Sequence, residues 1–250
     1  MRCALAILAF VLAAVGPAVA GQCPLLQTFE GAFKVFEGKD KALVFRAKYA
    51  INTEGAVTSY HKDDIRGQTK AINNICNGVN VTLTNGTSFP GGDNAACPGL
   101  RTGFANARDL EWQAAAAPLV DFFAIATRIC NAQKKCIPCL TDDGYMISTT
   151  SLENPTITEA CNPKKYFDSL TLPGIVIPKR GLFIDRGSEP GDLVIVRSRA
   201  NGQSFGAVVA DTGPAKSLGE GNRRPCAQVA RLRDAPHHVR AGQGTCAQFG

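Results

Sequence analysis

Hydrophobic and polar positions sort the chain into short runs, and the clearest of them lie between Asp192 and Ala210. Asp192–Arg199 carries Val194, Ile195 and Val196, and Gln203–Ala210 carries Phe205, Val208 and Val209, with Asn201-Gly202 between them. Two β-rich runs around Asn-Gly predict a hairpin, because a type I′ turn needs positive φ at both central residues. The second strand is expected to stop at Asp211, since Thr212-Gly213-Pro214 removes side-chain bulk and then a backbone donor. An earlier strand is expected over Ala42–Lys48, where Leu43, Phe45 and Ala47 alternate with Val44, Arg46 and Lys48. Asn52-Thr53-Glu54-Gly55 then reads as a turn and Val57–Tyr60 as the returning strand, a second hairpin. Gln68–Gly103 is turn-rich, and Asp109–Asn131 reads as the one long helix, Ala-rich and bent at Pro118. Tyr145–Thr150 alternates as a strand, and Leu172–Pro178 holds a short buried one. Many short strands with hairpin turns and one helix predict a mainly β (α+β) domain, an antiparallel β-barrel with a main helix and disulfide-stapled loops. A strand ending in Ala-Asp-Thr-Gly is also similar to those of small secreted double-psi barrels.

The apolar run Ala4–Val15 follows Arg2 and is too short to span a bilayer. With Ala18-Val19-Ala20 after it, residues 1–20 read as a secretory signal. Residues 21–41 form a lead with Phe29, Phe33 and Phe36, and 42–250 reads as a single catalytic-type domain, no linker dividing it. The expectation is a secreted monomer, extracellular or periplasmic, with no membrane partner. A charge of +6 with no dense Lys/Arg patch disfavours nucleic acid.

Export gives the cysteines their meaning. Ten are present, and Cys3 leaves with the signal. The other nine predict four disulfides and one spare thiol, with connectivity left open. Cys130, Cys136 and Cys139 also have the look of half a zinc site, but no second Cys-x-x-C or paired histidine completes it. No metal and no cofactor are expected.

The candidate chemistry sits on carboxylates. Asp211 stands at a strand end, and Glu220 follows between Gly219 and Gly221, in what reads as a loop. Asp-x-Gly-Pro is also a common strand terminator, so Asp211 has a plain structural reading as a turn residue. The lone Trp112 reads as core or as a sugar-stacking ring.

Val-Val-Ala-Asp-Thr-Gly-Pro followed by Gly-Glu-Gly-Asn resembles the closing motif of the chitosanases of glycoside hydrolase family 75. The opening strands with Ser59-Tyr60-His61-Lys62-Asp63-Asp64 resemble the same family, as do, in order, Gly144–Leu152, Tyr166–Ser169 and Pro173–Pro178. The resemblance covers about half of the chain after the signal. It implies Asp211 and Glu220 as the catalytic acids of an endo-acting, inverting enzyme that cleaves β-1,4-linked glucosamine polymers. Tyr60 and His61 are expected at the substrate with Asp63, Asp64, Asp143 and Asp192, further carboxylates suited to the amino groups of such a polymer, although each carboxylate alone also has a plain structural reading. Inversion needs two carboxyl groups about 6.5–9.5 Å apart, with room for a water between them, and an open cleft shared by Asp211 and Glu220 is the expected setting. Two other readings stay open. One is a non-catalytic module binding a polysaccharide or a protein, for which aromatics are scarce at 7%. The other is a peptidoglycan-acting enzyme on a related barrel.

Overall fold

A computed structural model describes residues 23–30, 33–198 and 201–222. The signal segment, Arg223-Arg224, Cys226 and Cys246 lie outside the described residues. In chain order, β1 (Leu25–Thr28), β2 (Lys34–Glu37) and β3 (Leu43–Phe45) form an antiparallel sheet. After it come β4 (Ala50–Ile51), β5 (Tyr60–His61), β6 (Val79–Thr82) and β7 (Ser88–Phe89). Helix α1 (Cys97–Asp109) precedes β8 (Leu119–Phe122), β9 (Thr127–Cys130), β10 (Cys136–Pro138) and β11 (Tyr145–Met146). The chain closes with β12 (Gly174–Pro178), the short α2 (Leu182–Asp185), β13 (Leu193–Arg197), β14 (Ser204–Gly213) and β15 (Glu220–Gly221).

The protein is mainly β with one main helix, as expected, but no closed barrel forms among the described residues. Its largest sheet has five strands in the order β13-β14-β12-β15-β4 and is mixed, with β12 parallel to β14 and β15 parallel to β4. The remaining strands make small sheets of two or three. Most strands are two to five residues long, too short to bend round and bring the two sheet edges together. At one of those edges, β13 leaves Leu193 and Ile195 exposed.

The hairpin of β13 and β14 is present, with Arg197 opposite Ser204, so its loop is longer than the two residues Asn201-Gly202 imply. The second expected hairpin is not formed. β3 pairs with β2, and β5 pairs with β11, because Tyr60 and His61 are buried against the later strand. Tyr145–Thr150 keeps strand pairing at Tyr145–Met146 and a single antiparallel bridge from Ser148 to Ile125. β12 is buried at all five positions, as its apolar run suggests.

The helix is displaced towards the N-terminus from Asp109–Asn131. In α1 the residues Leu100, Phe104 and Ala107 are buried at helical spacing, and Pro98 occupies the first turn, where its missing donor costs nothing. Beyond it Glu111 and Trp112 take positive φ. The Ala-rich stretch stays unwound, and Lys135 Nζ donates to the carbonyls of Ala114, Ala115 and Ala117 at 2.6–2.9 Å. Past Pro118, β8 pairs with β6 instead. Trp112 lies between Phe104 and Phe122, edge to face with both, which makes it a core residue.

Two large apolar cores result, with a small third cluster of Ala126, Cys139, Ile147 and Tyr166. One gathers Tyr60, Ile75, Val79, Leu100, Phe104 and Met146 around α1, and the other gathers Phe29, Val35, Ile175, Ile177, Phe183 and Val209 around the five-stranded sheet. Among the described residues three disulfides, Cys76–Cys97, Cys130–Cys136 and Cys139–Cys161, staple the first region and its flank. They engage the three cysteines of the half zinc site, and no group of three metal-ligating residues occurs among the described residues. The disulfides fit an oxidising compartment, and no described helix is long and apolar enough to cross a membrane.

Candidate functional site

Asp211 does not end β14; it lies inside it, level with Val176 of β12. The register shifts between Ile175 and Val176, so that Ile175 faces Val209 and the next residue already faces Asp211. Strict alternation would send Asp211 to the same side as Val209, into the apolar core. The extra residue Ala210 breaks the alternation and re-aims Asp211.

Its carboxylate is met by a prepared cradle. Oδ1 accepts from the Ser151 amide at 2.8 Å, the Ser151 hydroxyl at 2.5 Å and the Thr212 amide at 2.8 Å. Asp211 is only 8% exposed. The open cleft expected for it is replaced by a narrow crevice, lined by Asn52, Glu54, Thr150, Phe167, Asp211 and Asn222. Burial follows from Ser151, whose neighbour Leu152 donates its amide to the Ala210 carbonyl and so lays that segment across β14.

Glu54, read from the sequence as a turn residue, turns out to be the partner of Asp211. The two carboxyl groups line the same crevice and lie close enough to feel each other's charge. The turn holding Glu54 is fixed by Asn52, whose Oδ1 takes the Glu54 amide at 2.7 Å and whose Nδ2 makes a long 3.4 Å contact to Oε2. Burial first, and then the charge and hydrogen bond of Asp211, push the Glu54 carboxyl up to about 8, while Asn52 pulls the other way and Glu220 adds repulsion. Glu54 thus keeps its proton through neutral pH. The signal for it in the sequence was slight: a Glu-Gly pair in a polar turn just upstream of a buried tyrosine.

Glu220 is half-buried in β15, which is a strand and not a loop. Gly221 pairs with Ile175, and Glu220 with Ala50. The flanking glycines admit neighbouring chain, not a ligand: a Cβ on Gly219 would stand 2.1 Å from the Lys48 carbonyl, and one on Gly221 would stand 2.3 Å from the Tyr49 hydroxyl. Asp211 and Glu220 flank β12 from opposite sides, so their backbones are two strand spacings, or about 10 Å, apart. Glu220 does not line the crevice itself, yet its charge is felt by Glu54 and its Oε1 lies 3.5 Å from the Ser217 hydroxyl.

The other expected site residues divide. Tyr60 is buried under Glu54, with a long 3.5 Å contact from its hydroxyl to Oε1, and accepts from Asn73 Nδ2 at 3.1 Å. Burial foremost, then Glu54 and Asp211, keeps its phenol protonated. His61 is spent on structure: Nδ1 accepts from the Asp63 amide, Nε2 meets the Asp143 carbonyl, and Tyr145 packs edge-on against the ring. Asp63 pairs with Lys62 and Arg108, and Lys62 foremost holds its carboxyl low. The exposed Asp143 contributes its carbonyl to His61, and Asp192 accepts the Glu189 amide.

Asp64 organises the 64–71 turn, accepting the amides of Gln68, Thr69, Lys70 and Ala71 at 2.6–3.1 Å. Desolvation opposes them, but these bonds hold its carboxyl well below the ordinary range. Its contribution to stability is therefore present above the unfolded value of about 3.9 and is lost on further acidification. Asp64→Asn is expected to cost about 2 kcal/mol at pH 7, since an amide offers one acceptor oxygen in place of two charged ones. Denaturant titrations at pH 7 and pH 3 check this, with the gap from wild type shrinking at the lower pH.

The carboxyl site thus joins Glu54 before β5, Asp211 on β14 and Glu220 on β15, at the seam between the two apolar cores. Compared with known proteins, the chain matches no family model and no curated protein.

Proposed function

We propose that this protein is a secreted glycoside hydrolase that cleaves β-linked amino-sugar polymers, most simply chitosan, with inversion. The observation that carries the reading is that Glu54 and Asp211 line one crevice, where burial and then the charge of Asp211 and, more weakly, Glu220 push the Glu54 carboxyl up. Glycoside hydrolysis needs one carboxyl group that still holds its proton and another that has lost it, at the same pH. Three carboxyl groups in one neighbourhood, one of them protonated up to about pH 8, supply both. Across β12 the backbones of Asp211 and Glu220 stand about 10 Å apart, the scale of separation that an inverting pair needs. The motif around these two residues resembles that of family 75, in which they are the acids.

The charge balance agrees. A net +6 would repel a polycation in general, but the cluster of three carboxyl groups turns the site locally acidic. The test is release of reducing ends by the purified protein from chitosan, partly acetylated chitin and peptidoglycan glycan strands. Chitosan is expected to react fastest. Activity on peptidoglycan alone would move the protein to the wall-lytic reading, and no activity on any of the three would leave a binding module.

A further inference from the structure

We propose that the crevice lined by Glu54, Asp211 and Asn222 is a pocket for one primary ammonium group, and that Asn222 is the residue through which the site prefers an amino-sugar polymer to one with hydroxyl or acetamido groups in the same place. This rests on the glycosidase reading and names what selects its substrate.

Asn222 is 4% exposed, and all but one of its polar groups are engaged. Its amide donates to the Gly174 carbonyl at 3.0 Å, its carbonyl accepts from the Tyr49 hydroxyl at 2.7 Å, and Nδ2 donates to the Leu172 carbonyl at 2.5 Å. The remaining group, Oδ1, is buried and finds no donor among the described residues. Buried acceptors are nearly always satisfied, and one left bare costs stability. The side chain cannot turn over to relieve it, since Oδ1 would then meet the Leu172 carbonyl. Asn222 lines the crevice and Leu172 does not, so the nitrogen end of the side chain is held outside and the oxygen end is left for an occupant.

The rest of the lining fixes what that occupant is. The hydroxyl and amide side chains are spent: the Thr150 hydroxyl goes to the Leu152 carbonyl, the Ser169 hydroxyl to the Thr53 carbonyl, and Asn52 Nδ2 turns to Glu54. The donors that reach Asp211 all go to Oδ1, so Oδ2 takes none of them. No lysine or arginine lines the crevice. What remains is a set of acceptor oxygens. An ammonium brings three donors and no acceptor, whereas a hydroxyl would turn its lone pairs towards oxygens like itself. Size agrees, because the cavity volume is about 10 Å³, room for a single water-sized group. An ammonium fits there; an acetamido group, with an acetyl beyond its nitrogen, does not.

The pocket is also tied to the carboxyl groups. Asn222 follows β15 directly and continues its ladder through the bond to Gly174, and alternation along an extended chain puts Glu220 and Asn222 on one side of it. β15 is paired with β12 on one side and β4 on the other, so the reach from Glu220 to the pocket is fixed. An ammonium held by Asn222 would set one sugar ring at a constant position beside Glu220 and Asp211.

The experiment titrates the full-length exported protein by NMR with the β-1,4-linked disaccharides of glucosamine, glucose and N-acetylglucosamine, which differ only in the group on the second ring carbon. The glucosamine disaccharide is expected to bind at least about 10-fold more tightly than the other two, the worth of one hydrogen bond to a charged group, and to shift the side-chain amide signal of Asn222. Asn222→Leu, close in size but without Oδ1, is expected to lose the preference, and Asn222→Asp, which keeps an oxygen there and adds charge, to retain it. An asparagine with a structural role only would weaken all three sugars alike in both variants and leave their ratio unchanged. Equal affinity for the three sugars or an Asn222 signal that stays put, both read on the wild type, overturns the pocket, as does an undiminished preference in Asn222→Leu. Hydrolysis of chitosan without an amine preference keeps the enzyme and removes the pocket; an amine preference without hydrolysis keeps the pocket and removes the glycosidase reading.

Discussion

Asp211→Asn and Glu220→Gln are each expected to lower kcat/KM on chitosan by about 10²–10⁴-fold, the usual worth of one general acid or base. Protonating the leaving oxygen and deprotonating water are separate transfers, so neither residue can stand in for the other. The cradle of Asp211 makes its variant a clean test. An asparagine carbonyl can take the place of Oδ1 and keep the bonds from Ser151 and Thr212, while its amide turns to Glu54 and donates. Glu220 makes only a long contact to Ser217, so glutamine there disturbs little packing. Both variants should melt close to wild type, measured by calorimetry beside the reducing-end assay. Full activity in both would end the role of these carboxylates in catalysis.

Gly55→Ala is expected to have the largest effect on stability, above about 4 kcal/mol, because it combines two named faults. Gly55 sits at φ +82°, a conformation that costs an alanine about 1–2 kcal/mol. A Cβ there would also stand 2.0 Å from the Phe167 carbonyl oxygen and 2.7 Å from Thr150 Cγ2. The first of these is backbone, which cannot swing aside as a side-chain tip can. For a chain of this length such a loss lowers Tm by about 10 °C or more. Gly86→Ala makes the control, for Gly86 has the same positive φ but nothing within 4 Å of a Cβ, and it should lose only the conformational part. Thermal melts of the two variants check the difference. A Gly55→Ala protein melting with the Gly86→Ala control would mean that this turn is not clamped as described.

The fold was legible where the pattern was local. β13 and β14 followed from two β-rich runs about Asn201-Gly202, and β12 from a short apolar run. The helix was misplaced because an Ala-rich stretch outweighed Cys97-Pro98-Gly99, although Leu100, Phe104 and Ala107 had the spacing of a buried helical face. What decided against the alanines is a tertiary contact, Lys135 on their carbonyls. The mixed sheet was out of reach for the same reason, since the pairing of Glu220 with Ala50 joins residues with most of the chain between them. At the site, Asp211 and Glu220 stood out through their glycine-flanked, strand-end setting. Glu54, Ser151 and Asn222 did not, because each owes its place to a neighbour far off in sequence and none has a spacing of its own to announce it.

The parallel contact of β4 with β15 also bears on how the protein comes into being. Glu54 follows one of these strands by a few residues, and Glu220 lies in the other, so the stretch between them closes a loop of nearly the whole described chain. Closing so long a loop costs several kcal/mol of chain entropy, about (3/2)RT ln n beyond a constant. During synthesis, the region around α1, with its three local staples, can collapse while the last strands are still inside the ribosome. Glu220 cannot join Glu54 and Asp211 until β15 has emerged and taken its place between β4 and β12. A chain cut short anywhere before Glu220 would keep the core around α1 but lack β15, and with it the third carboxyl group of the site.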